Sequence, residues 1–166
     1  MDIVSVITDT DIDRATVLIN NAFATVARQF GFTRETVPSF PAFIDSSVIR
    51  RQVQNGLHLY AFRENGEMKG TVGHRMPNDD HLCLVERLAV LPADRHNGTG
   101  TQLMNFISSK VAECGGRIIE VQIVNENVPL RTWYLGQGFS EIRVDTYAHL
   151  PFTVGVLQKE LTSSLR

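Results

Sequence analysis

The chain has 166 residues, 43% of them apolar, with 16 basic and 18 acidic side chains that leave a net charge of −2. A chain of this length buries about 70% of its unfolded surface in one core, so a single domain over residues 1–166 is expected. Because phosphate binding needs an excess of basic residues, the net charge argues against nucleic acid as the main partner. No apolar run approaches the ~20 residues of a membrane span and no signal peptide pattern is recognised, so no membrane partner is expected and the cytoplasm is the expected location.

The first half of the chain is predicted to hold one strand and two helices. Apolar residues recur at helical spacing after a capping segment at residues 8–13, and Gly31 ends this first helix. A loop with two prolines precedes the second helix, which closes at Asn55-Gly56. The expected ranges are 3–7 for the strand, up to about Gln29 for the first helix, 32–41 for the loop and about 42–54 for the second helix.

Beyond residue 56 the apolar pattern changes from a helical period to that of strands. Asn65-Gly66 is a hairpin signal between two of them, and the nearly continuous apolar run that follows is typical of a strand covered on both faces. The expected strands are 57–63, 68–76, 82–91, 118–124, 139–147 and 153–160, and the helices are about 98–114 and a short one capped by Asn127. The sequence therefore predicts an α/β domain with a mixed central sheet of about seven strands and four helices, in the order β-α-α-β-β-β-α-β-α-β-β.

A glycine-containing loop joins the strand that ends Leu88-Ala89-Val90-Leu91 to the long amphipathic helix. Gly98 and Gly100 leave backbone amides uncovered at the helix N-terminus, where the helix dipole also favours an anion. Arg95 adds a cation at the edge of this loop, so a pyrophosphate would fit there. The alternative is a tight turn in which the glycines only satisfy the backbone angles. The spacing matches neither a nucleotide P-loop nor a dinucleotide fingerprint.

Two motifs give the chain a family resemblance. R-x-x-G-x-G, from Arg95 to Gly100 after a strand that ends L-x-V-x-P, resembles motif A of the GNAT superfamily of acetyl-CoA-dependent N-acetyltransferases. A second segment is similar to the family's N-x6-Y-x3-G-F motif, with Asn127, Tyr134 and Phe139 at its positions. The order of elements is also that of the family, so the resemblance covers essentially the whole chain.

The resemblance implies a function and assigns residues to it. The enzyme would move acetyl from acetyl-CoA to a primary amine of a small molecule or peptide, by direct attack in a ternary complex. The backbone of Leu88, Ala89 and Val90 would pair with the pantetheine arm, and Asn127 would lie beside it. Tyr134 would protonate the leaving thiolate. The pyrophosphate would be held by Arg95 and by the amides of His96, Asn97, Gly98, Thr99, Gly100 and Thr101. A non-catalytic acyl-CoA-binding module of the same fold is the alternative function.

Two carboxylates are candidates for the catalytic base. Glu86 interrupts an otherwise apolar strand, and a buried carboxylate costs several kcal/mol unless it is paired or solvated. It is therefore either ion-paired across the sheet or open to the acceptor as a base, as some family members have on this strand. Glu120 on the adjacent strand is the alternative base, while Gln122 on the same face cannot take a proton. Tyr134 itself could instead be a core aromatic.

Aromatic and histidine side chains are the candidates for the acceptor site, and the last hairpin is the candidate for a dimer contact. Phe32 and Phe40 are predicted to contact the acceptor, against the alternative of a satellite core under a long loop. His149, in the last hairpin, is a further candidate contact. That hairpin supplies a sheet edge that must be paired or protected, so a homodimer is expected. The two cysteines, Cys83 and Cys114, lack metal-site spacing, and no metal is expected.

Overall fold

One mixed sheet of seven strands and four helices form the part of the chain that the computed structural model describes, residues 2–162. Met1 and residues 163–166 of the predicted single domain lie outside it. The predicted order of elements is confirmed, with one additional 3-10 turn at Pro92–Asp94. The elements are β1 Asp2–Ser5, α1 Asp9–Phe30, α2 Ser46–Gln54, β2 His58–Glu64, β3 Glu67–His74, β4 Leu82–Val90, α3 Thr99–Glu113, β5 Ile118–Val124, α4 Val128–Gly136, β6 Ser140–Thr146 and β7 Thr153–Glu160.

The helix ends follow local capping chemistry. The Thr8 side chain accepts the amide of Asp11 at the start of α1, and Gly31 ends the helix at φ +69°. The second helix begins at Ser46 and not near residue 42, because the Asp45 side chain caps it and the residues before it form turns. The side chain of Asn20 holds those turns by donating to the carbonyls of Pro41 and Ile44.

Strands β4 and β5 diverge near the centre of the sheet. Its strand order is β1-β2-β3-β4-β5-β7-β6, and every neighbouring pair is antiparallel except β4 and β5. Those two strands pair only over Leu82–Leu84 and Ile118–Glu120, whereas β5 remains paired with β7 up to Val124. Beyond Leu84, β4 therefore has no partner strand on its β5 side, and a gap separates the two strands. The same gap leaves much of β4 only half-buried, which corrects the expectation that both of its faces are covered.

A β-bulge bends β4 at this gap. Arg87 and Leu88 both lie opposite Val72 of β3, and Arg87 adopts a left-handed φ of +57°. The buried hydroxyl of Thr71 donates to the carbonyl of Arg87 at 2.8 Å and fixes the bulge. Because a bulge bends its own strand, it directs β4 away from β5.

The two faces of the sheet carry separate packing layers. On one face α3 and α4 pack on inward residues of β4 and β5, in a cluster that includes Cys83, Val85, Leu103, Ile119 and Tyr134. On the other face α1 and α2 pack against β2 and β3. Because side chains alternate along a strand, Glu86 and Glu120 lie on the face opposite to Cys83 and Ile119. No helix within residues 2–162 is long and apolar enough to cross a lipid bilayer.

Candidate active site

The loop between β4 and α3 presents backbone amides that have no protein acceptor. Gly98 precedes the helix at φ +88°, and having no side chain it cannot cap the helix. The amide of Thr99 donates only weakly, to Asn97 Oδ1 at 3.4 Å. Five further amides around the start of α3 donate to no acceptor within residues 2–162; they belong to His96, Asn97, Gly98, Gly100 and Thr101. Free amides at a helix N-terminus form an anion site.

The two sequence motifs meet at the start of α3. A Cβ on Gly100 would lie 3.2 Å from Cζ2 of Trp133 in α4, so only glycine allows this close approach without a shift of the indole. Gln137 at the end of α4 donates to the hydroxyl of Thr101 at 3.2 Å. The helix of the second motif therefore supports the loop of the first.

The side chain of Arg95 faces away from these amides. Its guanidinium donates to the carbonyls of Val90 and Ala22 at 3.1 and 2.7 Å and to the hydroxyl of Thr25 at 3.1 Å. These bonds tie the loop to α1. Three of its five N–H groups therefore already have acceptors within the protein, and the predicted phosphate contact of this side chain stays a prediction.

Replacement of Arg95 by methionine is expected to lower the free energy of unfolding by about 2 kcal/mol, since hydrogen bonds made by a charged group each contribute about 1.5–3 kcal/mol and methionine keeps only part of the packing. Urea denaturation measures the loss. Arg14→Met is the matched control, because Arg14 is exposed on α1. Equal stability of the two variants would contradict the structural role of Arg95.

Asn127 and the free edge of β4 border the gap. Asn127 is buried and its Oδ1 accepts the amide of Leu130 at 3.3 Å, so it caps α4 as predicted. Its side-chain nitrogen donates to no group within residues 2–162. Leu88, Ala89 and Val90 supply the backbone of β4 that faces the gap. An extended ligand could therefore add to this edge as a further strand.

Tyr134 combines a buried ring with an unpartnered hydroxyl. The ring packs edge-on against Trp133 and Phe139, with centroids 4.9 and 5.2 Å apart. The hydroxyl forms no hydrogen bond within residues 2–162. Burial raises the pKa of Tyr134, so the hydroxyl keeps its proton at neutral and mildly alkaline pH.

Glu86 is ion-paired. Its Oε2 accepts from Nε of Arg75 at 2.8 Å, and Nη1 of the same arginine donates to the carbonyl of Asn55 at the end of α2. The first of the two alternatives for this carboxylate is therefore the one found. To act as a base, Glu86 would have to give up this ion pair.

Glu120, unlike Glu86, has no cationic partner within residues 2–162. Its side chain is 8% exposed, and its oxygens accept from the amides of Gln158 at 2.8 Å and Gln122 at 3.2 Å. It forms no salt bridge within residues 2–162. It pairs with Leu84, the last residue of β4 before the strands diverge, and so lies at the closed end of the gap. Sequence reasoning missed both Arg75 and Gln158, since their contacts depend on strand register.

The residues predicted to meet an acceptor are not grouped in one open site. Phe32 and Phe40 are 8% and 6% exposed, and their rings pack 5.1 Å apart in a cluster with Phe152. This packing favours the alternative of a satellite core under the loop, and contact with an acceptor stays a prediction. His149 lies exposed in the loop between β6 and β7, beside Tyr147.

Comparisons with known proteins agree with this geometry. The family model for the acetyltransferase (GNAT) domain matches residues 30–152. No curated protein sequence matches the chain significantly.

Solved structures share the fold at low identity. Ribosomal-protein-alanine N-acetyltransferase from Brucella melitensis is 17% identical with a TM-score of 0.73, over 97% of this chain and 100% of that one. The PaiA N-acetyltransferase from Thermoplasma acidophilum, in complex with coenzyme A, is 13% identical with a TM-score of 0.74, over 97% and 100%. An aminoglycoside 6'-N-acetyltransferase complexed with coenzyme A is 15% identical with a TM-score of 0.70, over 96% and 97%. With the domain match over most of its length and the same fold throughout, the chain belongs to the GNAT acetyltransferase family.

Proposed function

We propose that the protein transfers an acetyl group from acetyl-CoA to a primary amine, by direct attack in a ternary complex. The observation that carries the proposal is the set of acceptor-free amides at the start of α3, adjoining the gap between β4 and β5. Acetyl-CoA supplies the acyl group as a thioester with a thiolate leaving group. The solved neighbours that are complexed with coenzyme A support this choice of donor.

Each part of the donor has a counterpart in the chain. The loop amides from His96 to Thr101 are suited to the pyrophosphate, because they offer donors together with the positive end of the helix dipole. The free edge of β4 from Leu88 to Val90 is suited to the amide groups of the pantetheine arm, and the side-chain nitrogen of Asn127 can donate to the same arm. The arm would thereby carry the thioester into the gap.

Acid and base belong to opposite faces of the sheet. Tyr134 packs in the layer of α3 and α4, whereas Glu120 projects from the other face at the closed end of the gap. An acyl group within the gap would meet the hydroxyl from one side and the amine from the other. We assign Glu120 as the base, acting directly or through a water, in preference to the ion-paired Glu86.

Proton transfer and substrate orientation both contribute to the rate of the reaction. An amine reaches the reaction as an ammonium ion and must lose a proton before it can attack, which Glu120 accepts. The phenol of Tyr134 donates its proton to the departing sulfur, and the second proton released by the acylated nitrogen restores the phenol. Holding both substrates in line supplies most of the rate enhancement, and no covalent enzyme intermediate is needed.

Release of free thiol from acetyl-CoA against a panel of primary amines tests the proposal. Acceptor-dependent release above the hydrolytic background supports it. Tight acetyl-CoA binding with no release for any small amine, peptide or protein N-terminus would favour the alternative, a non-catalytic acyl-CoA-binding module.

Gly98→Val is expected to abolish the rise in melting temperature that acetyl-CoA produces. A ligand at 100 times its Kd adds about 2.7 kcal/mol to the folded state, and a branched side chain at a left-handed φ distorts the amides that would bind it. Differential scanning fluorimetry with and without acetyl-CoA measures the shift. Gly115→Val is the matched control, because Gly115 has the same φ of +88° and the same open surroundings at the other end of α3. A full shift in Gly98→Val would refute the phosphate site.

We also propose a homodimer formed along β6. This strand is at the edge of the sheet, and its exposed apolar side chains include Ile142 and Val144, 49% and 54% exposed. A second copy would cover them and pair the free edge. We expect light scattering to give twice the chain mass of 18.6 kDa, and Val144→Lys to lower it. A monomer mass for the unmodified protein at micromolar concentration would contradict this expectation.

A further inference from the structure

Three metal-binding side chains converge on the α3 face of the sheet, at the end of α3 remote from the phosphate loop. His74 ends β3, Cys83 lies in β4 and Cys114 caps the C-terminus of α3. One ligand atom from each lies within 4.8 Å of the other two. They are far apart in sequence, so their spacing gives no metal signature, and only the fold brings them together.

A hydrogen bond to the backbone fixes the tautomer of the His74 ring. Its Nδ1 lies 3.0 Å from the carbonyl oxygen of Arg75. A carbonyl can only accept, so Nδ1 carries the proton, and in the neutral ring the lone pair is on Nε2. Metal-bound histidines typically donate their second ring nitrogen to such a carbonyl, which fixes the tautomer and the ring.

The two sulfurs differ in access. Cys83 is fully buried, whereas Cys114 is half-buried and gives the cluster a route to solvent. Gly116 passes directly over the inner sulfur, where a Cβ would come within 2.7 Å of Sγ of Cys83. Only glycine allows the backbone to pack this closely on the buried thiol.

We propose that His74, Cys83 and Cys114 bind a thiophilic divalent ion, Zn²⁺, with a fourth position open to water beside Cys114. Zinc binds sulfur at about 2.3 Å and nitrogen at about 2.0–2.1 Å, which sets tetrahedral ligand separations of roughly 3.4–3.8 Å. The ligand atoms, up to 4.8 Å apart, would approach one another by about 1 Å to reach that geometry. Binding releases the two thiol protons, and the bound ion joins β3, β4 and α3.

The site has a structural role distinct from acyl transfer. It lies at the opposite end of a 15-residue helix from the phosphate loop, which is a length of about 22 Å. A disulfide between the two cysteines is the competing use of these groups, but it would leave the oriented imidazole without a function. The test therefore separates metal binding from oxidation.

Metal-free, untagged, reduced protein titrated with Co²⁺ tests the site. We expect one equivalent to produce the thiolate-to-cobalt charge-transfer band, Zn²⁺ to displace the cobalt, and Zn²⁺ to raise the melting temperature. Cys114→Ser is expected to weaken Zn²⁺ binding at least tenfold and to reduce the band. His58→Gln is the matched control, because the His58 ring stacks 5.0 Å from His74 but is outside the cluster.

A measurement on the unmodified protein covers the case in which Cys114→Ser does not fold. Zn²⁺ should protect Cys114 from alkylation by iodoacetamide, and removal of the ion with a chelator should restore the reaction. Absence of the charge-transfer band, the same band in folded Cys114→Ser, or unprotected alkylation at saturating Zn²⁺ would each overturn the proposal. A Cys83–Cys114 disulfide in protein that binds no Zn²⁺ after reduction would overturn it in favour of a redox pair.

Discussion

Glu120→Gln is expected to lower kcat for amine acetylation about 100-fold or more, since general base catalysis contributes about 10²–10⁴-fold. Glutamine keeps the size of the side chain but cannot take a proton. The loss should be largest at low pH, where the acceptor amine is protonated and a base is most needed. Steady-state kinetics from pH 6 to 9 with one identified acceptor measure it.

Glu86→Gln is the matched control for this prediction. It removes the same charge one strand away and breaks the ion pair with Arg75. We expect a small effect on kcat and a lower melting temperature, because the pair ties the sheet to the end of α2. A large loss of kcat in Glu86→Gln together with a normal rate in Glu120→Gln would transfer the role of base to Glu86.

The contrast between these two carboxylates indicates what the sequence can predict. A charge within an apolar strand identifies Glu86 as unusual, but its partner depends on how β3 aligns with β4. That alignment includes a bulge at Arg87, which no local sequence pattern predicts. The cation-free surroundings of Glu120 likewise depend on Gln158, which reaches it from the antiparallel strand β7.

Backbone features were predictable because their causes are local. Thr8 and Asn127 cap helices through their own neighbours, and Gly31 ends α1 by its left-handed φ. The positions of the glycines likewise predicted the amide-rich loop before α3. Side-chain destinations were not predictable in this way. The sequence does not reveal, for example, that the Arg95 guanidinium donates to acceptors on α1.

Clusters of side chains from distant parts of the sequence were the hardest features to predict. Phe32 and Phe40 lie in the loop between α1 and α2, and they pack with Phe152 from a distant hairpin. His74 and Cys83 share one cluster because adjacent strands place them there, with α3 bringing Cys114 to the same point. Such groupings depend on the strand order of the whole sheet.

Tyr134→Phe is expected to lower kcat about 100-fold, at the lower end of general acid catalysis, because a thiolate is already a fair leaving group. Phenylalanine preserves the ring contacts with Trp133 and Phe139. The melting temperature and the affinity for acetyl-CoA should therefore change little. Tyr147→Phe, which removes a hydroxyl from an exposed ring, is the control.

The pH dependence expected of this acid follows from the burial of its hydroxyl. Burial raises the pKa of Tyr134 above its ordinary 10.0, so the wild-type acid stays protonated as pH rises from 6 to about 9.5. The ratio of wild-type to Tyr134→Phe rates should accordingly stay constant over that range, and wild-type kcat should show no alkaline decline from this group. A wild-type rate in Tyr134→Phe, with chemistry shown to be rate-limiting, would remove Tyr134 as the acid. Because Tyr134 and Glu120 act on one reaction coordinate, the double variant should lose less than the product of the two single losses.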